Sequence, residues 1–158
     1  GSQTWMSKNL AIDDGQGGIY TQTVNYGQGD VTEYYYTWDA AVRVADTVQG
    51  WHLPSVNEWN TLVDAVGYAY IAGTKLKSTY GWDSGNGDGS YAFAAFPSGL
   101  RSWGNFNGLG TKTAFWTSIE NSSSQAYQSC FGTGNSVQTN SSYAKVNSCS
   151  VRLVKDSE

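Results

Sequence analysis

Few residues in this chain can do reactive chemistry. The single histidine, His52, lies between Trp51 and Leu53 just ahead of a helix start. It reads as a packing or hydrogen-bonding residue at the helix entry, because one histidine cannot supply most triads or most zinc sites. Cys130 and Cys149 lie outside any CxxC pair and have no histidine nearby, so neither a zinc site nor a paired Cys–His nucleophile is indicated. The 13 acidic residues could hold a glycosidase pair, yet no two are singled out, and Glu58 already has a structural use. Residues 81–90 alternate glycine with polar residues but lack the Lys-Ser/Thr of a phosphate loop. Asp83, Asn86 and Asp88 in that loop are candidate calcium ligands, without the spacing of an EF-hand, and a solvated turn is the default. No catalytic residue and no cofactor is assigned.

Binding chemistry is better supplied. Residues 101–147 are Asn, Ser, Thr, Gly and Gln with aromatics interspersed. Aromatic rings give rigid contact area, small polar side chains give adaptable hydrogen bonds, and Trp and Tyr faces stack on sugars. Phe115 and Trp116, flanked by strand residues, are expected in the core.

The elements that must position these groups can be read from composition and periodicity. The 158 residues fit one domain, expected over 3–156. Gly1-Ser2 reads as the scar of a cleaved tag, with the natural protein extending upstream. Charged residues are 14%, below the usual quarter, while aromatics are 15%, which favours a folded, loop-rich chain of short strands over a disordered one. A net charge of −4 with scattered Lys and Arg argues against nucleic acid and anionic membrane as partners. No apolar run is long enough to insert in a membrane.

Thr4–Met6 and Leu10–Ile12 read as strand material, and 13–31 as turns or loop. Asp39–Ala45 reads as a short helix. Ser55 and Glu58 have capping-box spacing, and Trp59, Leu62, Val63 and Val66 then repeat on one helical face until Gly67. A second helix is expected over Ile71–Leu76. Strands are expected over Tyr91–Phe96, Ala114–Ile119, Ala126–Phe131, Ser136–Tyr143 and Ser150–Val154, the last alternating outward and inward. Helices early and antiparallel strands late make an α+β domain. A disulfide between Cys130, in an expected strand, and Cys149, at the start of another, is favoured over two free buried thiols if the protein is exported.

Several blocks resemble the Fibrobacter succinogenes major paralogous domain. Gln3-Thr4-Trp5-Met6-Ser7-Lys8-Asn9-Leu10 is similar to its opening, and Gly50-Trp51-His52-Leu53-Pro54-Ser55 with Glu58-Trp59 to its core. Phe93–Arg101, Phe115–Glu120, Ala126-Tyr127 and Ser150–Asp156 follow in the family's order. The family is in turn similar to C-type-lectin-fold proteins, which implies two main helices packed on small antiparallel sheets. It shares the helix block and closing strand of the formylglycine-generating enzymes, but their catalytic cysteines are not recognisable here, and no enzymatic activity is implied. The closing block usually carries a cysteine at the position of Leu153; here it stands at 149, which favours a local Cys130–Cys149 pairing. The calcium motifs of animal C-type lectins are absent.

The resemblance implies a ligand-binding, adhesion or receptor-recognition module of a bacterial or phage surface protein, extracellular, at the cell surface or on a phage particle. Some members lie beside diversity-generating retroelements, which rewrite adenine-bearing codons in the last part of such genes, and residues 101–147 have that texture. The implied contact residues are Trp103, Asn105 and Asn107, then Tyr127, Ser129 and Phe131, then Asn135, Gln138, Asn140, Ser141 and Tyr143. The partner would be a cell-surface protein or glycan. The alternative is a fixed carbohydrate-binding module of a surface glycan-utilisation protein.

Overall fold

The computed structural model describes residues 1–158. After an irregular opening segment, strands β1 (Ile19–Asn25) and β2 (Asp30–Tyr36) form an antiparallel hairpin in register from Ile19↔Tyr36 to Asn25↔Asp30. The Gly-, Gln- and Asp-rich composition of 13–31 suggests turns or a loop. The β-branched and aromatic run Ile19-Tyr20-Thr21-Gln22-Thr23-Val24 is a strand instead, its period masked by flanking glycines and glutamines. Helix α1 (Trp38–Ala45) begins where the Thr37 hydroxyl accepts from the Ala40 amide. It buries Trp38, Ala40, Ala41, Val44 and Ala45.

Strand β3 (Trp51–His52) leads to α2 (Val56–Ala65), which carries both hydrogen bonds of the expected capping box: the Glu58 amide donates to Ser55 Oγ at 3.1 Å and the Ser55 amide to Glu58 Oε1 at 3.0 Å. Helix α3 (Ala69–Leu76) starts two residues ahead of expectation. Strands β4 (Leu100–Ser102) and β5 (Asn105–Asn107) pair as a small hairpin that was not anticipated. Strands β6 (Lys112–Glu120), β7 (Gln125–Gly132) and β8 (Val137–Ala144) form the largest sheet, in the order β6-β7-β8, all antiparallel. Strand β9 (Val154–Lys155) returns to pair with β3.

Expectations for strands fail at four places. Thr4–Met6 holds only an isolated bridge from Trp5 to Val154, and Leu10–Ile12 lies outside any strand. Tyr91–Phe96 is irregular, touching the ladder network only at Ala95 opposite Lys77, because Ala94 adopts φ +50° and breaks the extended path. Ser150–Val154 does not alternate outward and inward: all five residues are buried. Its backbone is held on both sides, with Met6 and Leu10 amides donating to Leu153 and Val151 carbonyls, and the Trp116 amide to Ser150.

The β6-β7-β8 sheet has a core on each face, so adjacent residues point to different cores. Trp116, Ala114 and Ala126 face α1 and pack with Tyr36, Trp38 and Val44. Phe115, Phe131 and Val137 face α2 and α3 and pack with Trp59, Val63 and Leu76. Trp59 is fully enclosed, its ring centroid 5.4 Å from Phe115, 5.8 Å from Phe93 and 6.2 Å from Phe131.

Candidate functional site

The β4–β5 hairpin turns through Trp103-Gly104, with φ +50° and +82°. A two-residue turn with both central residues at positive φ matches the right-handed twist of the strands, and asparagine followed by glycine is the favoured pair there. Tryptophan is a poor residue for that backbone, yet its indole projects outward, 79% exposed. The turn is held in place: the Trp103 amide donates to Asn147 Oδ1 at 3.1 Å, and Asn107 Nδ2 donates to Ser102 Oγ at 2.8 Å. Behind the tip, Arg101 lies 3.6 Å over the Tyr20 ring and Phe106 packs 5.0 Å from Tyr35, anchoring the hairpin on β1–β2. Asn105 is exposed and Asn107 half-buried.

The second wall of this face is edge strand β8. Register pairs Tyr143 with Ala126, Ser141 with Gln128 and Gln138 with Cys130, which puts these three β8 side chains on the α1 side of the sheet. The Tyr143 hydroxyl meets Ser102 of the hairpin; burial pushes its phenol up, and the Ser102 contact partly offsets that. Ser141 meets the Cys130 thiol. Trp103, Asn105, Asn107, Gln138, Ser141 and Tyr143 thus belong to the hairpin and to one side of β8.

The other expected contact residues lie elsewhere. Tyr127 points to the opposite side of the sheet, donating from Oη to Asn121 Oδ1 at 3.0 Å. Asn140 is exposed in a bulge with Thr139, opposite Ser129. Asn135 docks on α3, its side-chain oxygen accepting from Thr74 Oγ1 at 3.1 Å and its carbonyl from the Gly73 amide at 2.8 Å. Ser129 and Phe131 are corrections: both are buried, Phe131 inside the aromatic core and Ser129 under the bulge with Oγ toward the Thr139 carbonyl. Both lie on the face of β7 that packs toward α2 and α3, and a strand's period alone does not show which of its faces a helix covers. Ser102 and Asn147, which hold the turn, were missed. The Trp-Gly pair flanked by Leu-Arg-Ser and Asn-Phe-Asn was the available signal.

Cys130 and Cys149 are free thiols, not the expected disulfide. The Cys149 thiol donates to Gln128 Oε1 at 3.0 Å, and burial raises both cysteines, Cys149 well above the ordinary thiol range. The candidate calcium ligands turn to separate partners. Asp88 pairs with Lys75 at 2.8 Å, Asn86 Oδ1 accepts from the Trp82 amide at 3.0 Å, and the Asp83 carboxylate lies against Gly110. His52 sits at the helix entry, as read from sequence, with Nδ1 2.6 Å from Asp156 and Nε2 2.7 Å from the capping Glu58. Partial burial lowers its pKa, and the two carboxylate hydrogen bonds outweigh this, for a net rise.

Three helices with four small antiparallel sheets, holding an exposed tryptophan on a braced hairpin, define a loop-rich α+β domain. The chain belongs to the Fibrobacter succinogenes major domain family, whose model matches residues 1–155. No curated protein and no solved structure matches it.

Proposed function

We propose that this domain is a non-enzymatic ligand-binding module of C-type-lectin-like fold. In this reading it belongs to a bacterial or phage surface protein and contacts a cell-surface protein or glycan through the Trp103 hairpin and the adjoining side of β8. The observation that carries the reading is Trp103 itself: a large apolar ring, 79% exposed, on a backbone of φ +50°. Strain kept at an exposed position, with no gain from burial, points to a use outside the folded chain. The neighbouring Asn105, Gln138, Ser141 and Tyr143 supply polar groups, and the tip combines ring and amides as binding loops do.

The same residues support diversification by a retroelement. Trp103, Asn105 and Gln138 are exposed, so their replacement leaves both cores intact. A near-copy of these codons beside the gene, with mismatches confined to adenines, is the genomic mark expected.

Trp103→Asn tests the surface, because its effects on stability and binding have opposite signs. Asn-Gly suits the turn better, so the variant should melt at or above the parent temperature. Binding of the labelled domain to target bacterial cells, read by flow cytometry, should fall about tenfold or more. Unchanged cell binding by Trp103→Asn would remove the hairpin from the binding surface.

A further inference from the structure

A cleft of about 300 Å³ opens between the β1–β2 hairpin, the opening segment and the Ser150–Val154 segment. It is remote in composition from the Trp103 face: none of its lining residues belongs to β4, β5 or β8. Arg152 is among its lining residues and is only 2% exposed. The guanidinium donates to Asn9 Oδ1 and to the Phe93 carbonyl, both uncharged oxygens, and lies 4.4 Å over the Phe93 ring. Three of its five N–H groups are thereby used. Glu33 also lines the cleft, and its buried Oε2 has no hydrogen-bond partner in the protein. Tyr26 Oη is likewise buried and unpartnered. Ser98 is close to that phenol, but its hydroxyl is already shared with Thr113 and Ser150. Tyr26 packs 4.9 Å from Phe96, and Phe96 5.1 Å from Tyr80, giving the cleft an aromatic wall.

A buried oxygen without a partner costs about 1–3 kcal/mol, and native structures hold few of them. Here two belong to residues that line one cleft, beside a buried guanidinium with N–H groups to spare. We propose that this cleft is a binding site for one neutral saccharide unit. Where Glu33 is ionised, an anion would be drawn to Arg152 but would face the Glu33 carboxylate, and a cation would meet the reverse. Ring hydroxyls satisfy both, accepting from Arg152 and Tyr26 while donating to Glu33, and the C–H face of the ring packs on Tyr80 and Phe96. The cleft lies at the small end of the usual range for ligand pockets, which suits a single ring.

The site does not rest on the Trp103 reading, and its test separates the two. Free glucose, galactose, mannose, xylose and N-acetylglucosamine are titrated against the ¹⁵N-labelled protein, following the Arg152 Nε–H signal and the amides of Asn9 and Glu33. At least one sugar should shift these signals saturably. Glu33→Gln should weaken that sugar about tenfold without lowering the melting temperature. Trp103→Asn should bind it as the parent does. The proposal is overturned if no sugar moves the Arg152 signal, if glycine binds in the cleft in preference to every sugar, or if Glu33→Gln binds with parental affinity.

Discussion

Burial pushes the Glu33 carboxyl up to about 7, with Arg152 only partly holding it down. The protonated acid therefore favours the fold. Its contribution is complete below the ordinary carboxylate value of 4.5 and is lost as pH rises toward about 7. At 1.36 kcal/mol per unit, the loss is capped at about 3 kcal/mol. Urea unfolding from pH 4 to 8 should show the parent losing stability relative to Glu33→Gln across that window, with the two parallel above it. A difference independent of pH would mean that the carboxyl is solvated and not buried. Nothing in the sequence distinguishes Glu33 from the other carboxylates, because its burial arises from the β1–β2 hairpin folding over a segment far along the chain. Phe115 and Trp116 were legible as core residues from their strand context. Phe131 was not, because aromatics in a polar run look alike whether they face a ligand or a helix.

Local signals carried the elements that were read correctly. The capping box needs only Ser55 and Glu58 at the right spacing, so α2 was visible before any tertiary contact was known. Ser55→Ala should cost about 1 kcal/mol in chemical unfolding, the usual effect of losing such a cap. A cost near zero would show that packing of Trp59 alone fixes the start of α2. Elements decided by distant contacts were misread. Strand β1 exists because it pairs with β2, although glycines surround it. Tyr91–Phe96 has strand composition, but its backbone is diverted at Ala94 so that Phe93 can enter the core below Arg152. The Ser150–Val154 segment is pinned by the opening segment on one side and β6 on the other, so no face of it meets solvent.

At the scale of the whole molecule, one sheet lies between two cores, and its edge strand β8 carries exposed residues beside buried ones. Phe131 and Tyr143 lie on adjacent paired strands, and a composition-based reading makes them equivalent. The structure makes them opposites. Phe131 closes the ring of aromatics around Trp59, while Tyr143 stands at the edge strand toward the hairpin. Phe131→Ala should therefore cost about 3–5 kcal/mol, the usual cost of emptying a buried aromatic site, and lower the melting temperature steeply. Any loss of cell binding should follow the unfolded fraction and vanish at a temperature where the variant is folded. Tyr143 is half-buried and should behave differently, with Tyr143→Ser losing binding in the folded state at a smaller stability cost. If folded Phe131→Ala still lost cell binding while Tyr143→Ser kept it, the partner would contact the α2 side of the sheet, and the face assigned to Trp103 would have to be moved across it.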